Sequence, residues 1–130
     1  MAAQDVASYA VDELQAMSQR DLDALLGSGR PIDIRFATGR LRGRFGVADG
    51  TLRVEVSEID GGGDAMLMTF STGCRNLARQ RGIGKIEWLV HAAACAAPNR
   101  RLQQVLPARG FTLQDVQGVG QAYRRLENIG

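Results

Sequence analysis

Hydrophobic positions follow two periods along this chain, and the switches between them mark the predicted elements. Val6, Tyr9, Ala10, Leu14 and Met17 recur at helical spacing. Ser18 followed by Asp21 has the form of a capping box, which restarts a helix through Leu22, Leu25 and Leu26 to Gly27. After Gly29 and Pro31 the period becomes two. Ile32, Ile34 and Phe36 alternate with Asp33 and Arg35. Leu41, Gly43, Phe45 and Val47 alternate with Arg42 and Arg44, and Leu52, Val54 and Val56 with Arg53 and Glu55. With Asp49-Gly50 as a hairpin turn, the pattern predicts a three-stranded antiparallel meander.

Asp60-Gly61-Gly62-Gly63-Asp64 is predicted as loop, because three successive glycines lose too much backbone entropy inside a regular element. Met66, Phe70, Cys74, Leu77 and Arg81 then lie three and four apart, and Asp64 suits an N-cap. One helix is expected from Asp64 to about Arg81, weakened at Gly73 by ~1 kcal/mol relative to Ala. Gly82 and Gly84 end it. The Ile86, Trp88, Val90 alternation in KIEWLVHAAAC predicts a buried strand. Pro98-Asn99 begins a helix through Leu102, Val105 and Leu106 that stops at Gly110. Phe111 to Val116 and Gln121 to Leu126 form two last strands around Gly118-Val119-Gly120. The predicted order is helix, helix, three strands, helix, strand, helix, two strands.

Length and composition narrow the class. A chain of 130 residues, 45% hydrophobic, is expected to fold as one domain, 1–130, with a helical opening over 1–29 and a sheet core over 30–130. The net charge of +2 conceals blocks of opposite sign. Residues 1–29 sum to −4 (Arg20 against Asp5, Asp12, Glu13, Asp21 and Asp23), and 30–53 to +4 (six Arg against Asp33 and Asp49). Residues 54–74 return to −4, with Glu55, Glu58, Asp60 and Asp64 and no base. This distribution excludes a uniformly basic nucleic-acid tail. Two cysteines, Cys74 and Cys95, and one His give neither a disulfide framework nor a zinc constellation, so no metal is expected. No apolar run nears the ~18 residues of a membrane span, and the N-terminus carries acids where a signal peptide needs bases. A cytoplasmic protein with reduced thiols is expected, with no membrane partner.

Three groups of side chains are candidates for function. Arg35, Arg42, Arg44 and Arg53 fall on the polar side of the meander, where guanidinium forks suit phosphate or carboxylate contacts. That row is either a surface for protein or nucleic acid or a solvated face neutralised by Asp33 and Glu55 as cross-strand pairs. Glu87, His91 and Cys95 share one face of the predicted fifth strand. His91 and Cys95, four strand positions apart, are separated by ~13 Å, so a buried structural Cys and a hydrogen-bonded His are expected rather than a nucleophilic pair. The glycines of 61–63 make either a flexible strand-to-helix connection or an anion cradle, in which amides close on phosphate at a helix N-terminus.

The order of elements, and several short motifs, resemble the GNAT N-acyltransferase superfamily over roughly Ser18 to Leu126. Glu58-Ile59-Asp60-Gly61-Gly62-Gly63 stands where that family has Q/R-x-x-G-x-G/A. PNRRLQQVLPARGF is similar to its N-x-x-A-x-x-x-Y-x-x-x-G-F segment, with Asn99, Gly110 and Phe111 in register, and LARQRGIGKIEWLV to its entry into the fifth strand. The resemblance implies an α+β fold: a mixed, mostly antiparallel sheet with helices on both faces, here lacking the usual first strand. It implies an acyl-CoA-dependent N-acyltransferase, using acetyl-CoA or another acyl-CoA on an amine of unknown identity. Gly61, Gly62 and Gly63 would hold the pyrophosphate, Asn99 the pantetheine arm, and Glu55 or Glu58 would act as general base. Asn99 also suits a plain helix N-cap. The sequence departs from the family at Glu58, which replaces a basic or amide residue and adds its charge to Asp60 and Asp64 beside the phosphate loop. It departs again at Leu106, which stands where the family has a proton-donating Tyr. A second implied class is a non-catalytic GNAT-like module that binds protein or nucleic acid through the Arg face, including a bacterial effector or toxin domain.

Overall fold

A computed structural model describes residues 7–61, 63–91 and 100–129. The elements are β1 (Ala7–Ala10), α1 (Val11–Ala16), α2 (Gln19–Gly27), β2 (Ile32–Arg35), β3 (Gly39–Ala48), β4 (Thr51–Gly61), α3 (Gly63–Gln80), β5 (Lys85–Val90), α4 (Arg100–Ala108), β6 (Thr112–Val116) and β7 (Gly120–Asn128). The described strands form one sheet in the order β1-β2-β3-β4-β5-β7-β6. The β1–β2 and β4–β5 pairs are parallel and the other four neighbouring pairs antiparallel. The fold class is therefore the mixed, mostly antiparallel α+β arrangement expected from the sequence.

One feature of that expectation is corrected. A first strand is present, because Ala7 to Ala10 pairs in parallel with Ile32 to Arg35. The helical spacing that begins at Val6 does not become helix there. The helix starts one step later, where the Ala10 N–H donates to the Glu13 carboxylate at 2.9 Å and so satisfies an otherwise open helix-start amide. Helices α1, α2 and α3 share one face of the sheet, since residues from all three line one cavity with Ile32, Ile34 and Phe45. The two parallel crossovers, β1 to β2 and β4 to β5, run the same way along the sheet. Right-handed connections of that kind put their helices on one side.

Local signals in the sequence are realised closely elsewhere. Ser18 Oγ accepts the Asp21 N–H at 3.2 Å and caps α2. Asp49 and Gly50 both take positive φ, 52° and 70°, which gives a two-residue hairpin the twist of its strands. Helix α3 begins at Gly63, so Asp64 falls in its first turn rather than at the cap. Its buried stripe is Met66, Phe70, Cys74 and Ala78, at strict spacing of four. Phe70 seats the helix by packing against Phe45 and Trp88, each with ring centroids 6.2 Å away.

Along β2, β3 and β4 the opposite face of the sheet is polar. Leu52, Val54 and Val56 of β4 point to the helices, so Arg53 and Glu55 point away. A register shift after Arg42 leaves Arg42 opposite Glu58 and Gly43 opposite Val56, so β4 carries one extra residue there. Glu55 and Glu58, three apart and destined for opposite faces of a regular strand, are brought by that bulge to the same face.

Candidate active site

Strand β5 pairs with β4 only from Thr51 to Val56. The His91 N–H adds one more bond, to the Val56 carbonyl at 2.9 Å. From Ser57 to Gly61, β4 continues with β3 alone as its described partner. Among the described residues, the sheet thus opens at the carboxyl ends of its two central parallel strands, beside the start of an 18-residue helix. Crevices of this kind are where ligands bind in sheets with parallel strands.

Glu55 and His91 meet at that opening. His91 Nε2 lies 2.9 Å from Glu55 Oε2, and the side chains are 14% and 24% exposed. With Glu55 ionised, Nε2–H is the donor, which leaves Nδ1 holding the lone pair. Such an imidazole can accept a proton at its free nitrogen while a fixed carboxylate beside it orients the ring and stabilises the resulting cation. Glu58 is placed differently: half exposed, it faces the Arg42 guanidinium at 3.4 Å. Of the two glutamates predicted as bases, Glu55 has the imidazole partner.

The glycine loop divides in two. Gly61 has φ of 71°, and a Cβ there would come within 2.9 Å of the Thr38 carbonyl oxygen, so its lack of a side chain is already required by packing against the β2–β3 connection. Gly63, at φ 57°, has nothing within 4 Å of a Cβ position. It leaves open space at the first residue of α3, which suits close approach of an anion to the helix start. Gly62, Asn99 and Cys95 lie outside the described residues. Carboxylates near this loop are partly compensated, because Glu58 meets Arg42 and Asp60 lies 3.9 Å from Arg40. Leu106 of α4 is buried, and its side chain has no proton to donate.

The Arg row is largely engaged within the chain. Arg42 grips Asp33 with two hydrogen bonds, 2.8 and 3.2 Å, across the β2–β3 register. These bonds, set against burial, hold the Asp33 carboxyl below its ordinary range. Arg53 donates to Glu87 at 2.7 Å, and Arg124 of β7 donates to the other oxygen of the same carboxylate at 2.7 Å. Glu87 is nearly buried. Desolvation alone would raise its pKa, but the two guanidinium bonds outweigh it and the group titrates below its usual range. Arg35 pairs with Glu13 at an exposed position, 3.3 Å away. Among the described residues Arg44 has no such partner and is exposed. Glu87 and His91, which share one face in the sequence pattern, do not meet: Glu87 belongs to the arginines, fully buried Leu89 stands between them along the chain, and His91 is hydrogen-bonded to Glu55 as expected.

Sequence patterns gave no sign of two of these contacts. The Glu55–His91 bond needs the parallel β4–β5 register, which no local pattern encodes. Glu127 of β7 likewise accepts from Arg75 of α3 at 2.6 Å and from the Trp88 indole N–H at 3.0 Å, a link across three elements. Among the described residues no group of three His, Cys, Asp or Glu side chains is placed to hold a metal ion. No helix among them is long and apolar enough to cross a membrane.

Compared with known proteins, the chain matches no family model and no curated sequence. Among solved structures it is similar to the "putative N-acetyltransferase from Lactobacillus plantarum", with 15% identity and a TM-score of 0.45. That match covers 72% of this chain and 61% of the other, so this chain spans less than two thirds of that protein's length.

Proposed function

We propose that this protein is an acyl-CoA-dependent N-acyltransferase of GNAT type, transferring an acyl group to an amine. The observation that carries the reading is the Glu55–His91 pair at the opening between β4 and β5, next to the open first turn of α3. In this reading His91 Nδ1 takes the proton of the attacking amine, and Glu55 orients the imidazole and stabilises its cation. Gly63, with Gly61 and Gly62, would lie against the pyrophosphate, and Asn99 would hold the pantetheine arm. The bound acyl-CoA supplies the activated thioester. With Leu106 at the usual donor position, the departing thiolate takes its proton from solvent.

The alternative of a binding module working through Arg35, Arg42, Arg44 and Arg53 is less well supported. Three of the four already meet carboxylates of this chain, and a partner would have to displace them.

Calorimetric or thermal-shift titration with acetyl-CoA tests the enzyme reading. Saturation at 100 times the dissociation constant should raise stability by ~2.7 kcal/mol. No shift at millimolar acetyl-CoA overturns the reading. Gly63→Asp, which puts a carboxylate into the open space at the helix start, should abolish the shift while the unliganded melt still shows a cooperative fold.

A further inference from the structure

Away from the β4–β5 opening, α1, α2 and α3 flank a half-open cavity of about 290 Å³ against β2 and β3. Its floor is buried and apolar, formed by Ile32, Ile34, Phe45 and Phe70. Its mouth carries exposed amide side chains, Gln15, Gln19, Asn76 and Gln80. Among the described residues no charged one lines it, although charged residues make up 23% of the chain. The sorting is specific, because α1 and α2 do carry charge and turn it elsewhere: Glu13 goes to Arg35, and Asp23 to Arg81 at the end of α3.

An exposed glycine leaves one edge of this space unobstructed. Gly73 lines the cavity in the middle of α3, where glycine costs helix stability, and a Cβ there would touch nothing within 4 Å. Close-packed interiors contain few voids larger than a water molecule, and an apolar cavity of ~150 Å³ already accommodates benzene. This one is about twice that size, which matches two fused rings. An ion placed there would lose its hydration with no opposite charge to replace it.

We propose that this cavity is a binding site for a neutral small molecule, with an apolar body of about two fused rings and a polar edge that meets the amide rim. The site shares no residue with the Glu55–His91 opening, and the inference stands apart from the acyltransferase reading.

Indole, neutral, bicyclic and carrying one N–H donor, is the probe, titrated into the full chain and followed by methyl NMR. Saturable shifts are expected at Leu14, Leu22, Leu25 and Ile34. Indole-3-carboxylate, the same body with a charge, should bind about a hundredfold more weakly. Gly73→Leu should fill the void and remove the indole shifts while keeping or raising the melting temperature. The proposal is overturned by the absence of saturable shifts at millimolar indole. Shifts centred on other residues of the wild-type chain overturn it without any variant, as does unchanged indole affinity in a folded Gly73→Leu protein.

Discussion

His91 Nε2 and Glu55 Oε2 stand 2.9 Å apart, although 36 positions separate them in sequence. The contact closes the last rung of the parallel pair, where the His91 N–H also reaches the Val56 carbonyl. Two bonds, one from the backbone and one from the ring, hold the imidazole at the point where β4 and β5 part.

If that imidazole is the base, His91→Ala should lower amine acetylation by about 10²–10⁴-fold and leave acetyl-CoA affinity unchanged. Glu55→Gln replaces the carboxylate that accepts from the ring N–H and should lower the rate, again with acetyl-CoA affinity unchanged. Steady-state rates across pH, with acetyl-CoA binding measured in parallel, check both. A wild-type rate in His91→Ala would exclude the pair as the proton acceptor.

Glu87, held by Arg53 and Arg124, predicts an acid-sensitive fold. Its pKa in the folded chain lies below the ordinary 4.5, so the protein stabilises the ionised form. That contribution is present above pH 4.5 and is lost as pH falls through the depressed folded value. Thermal melts below pH 4.5 should therefore show a falling midpoint, less steep in Glu87→Gln. At pH 7 the same variant should cost about 1–3 kcal/mol by urea unfolding, because it weakens two charge-assisted hydrogen bonds on one nearly buried group.

Gly61 and Gly63 share positive φ but differ in their surroundings. Gly61→Ala meets the Thr38 carbonyl and should destabilise the chain by about 2–3 kcal/mol, whereas Gly63→Ala should cost about 1 kcal/mol from backbone conformation alone. Urea midpoints at a common slope distinguish them. Equal costs would mean that the Thr38 contact relaxes freely.

The Asp33–Arg42 pair is bidentate and only part-exposed, so a double-mutant cycle with Asp33→Asn and Arg42→Gln should give a coupling of about 1 kcal/mol. Arg44→Gln, which breaks no such bond, should fall within about 0.5 kcal/mol of wild type. For the binding-module alternative, Arg42→Glu with Arg44→Glu should eliminate partner capture in pull-downs, and unchanged capture counts against it.

Burial pushes the Cys74 thiol up to about 12, against a smaller opposing effect of Arg75. In a Cys95→Ser background, alkylation at pH 8 should be slow in the folded state and become fast only in denaturant. Mass spectrometry after timed iodoacetamide exposure measures it.

Much of the fold was legible because its signals are local. The Ser18 cap, the Asp49-Gly50 hairpin, the alternation through Val56 and the spacing of Met66, Phe70 and Cys74 each depend on neighbours within a few residues. The first strand was not legible. Ala7 to Ala10 carries apolar residues compatible with a helix, and only the edge of β2 turns it into strand. The same limit applied to the site. Glu55 was a candidate base from its place on the central strand, and Glu58 looked equivalent until the bulge and Arg42 separated their surroundings.

The sequence by itself determined which segments are helix or strand over most of the chain, which strand faces are polar, and that charge is arranged in blocks. Those properties follow from side-chain period, turn chemistry and capping, all short in range. The tertiary structure alone decided which charges meet. It gave Glu87 to two arginines, Glu55 to His91 and Glu127 to Trp88 and Arg75. Each pairing depends on the order and register of strands far apart in sequence, which are fixed when the sheet and its helices close on a common core.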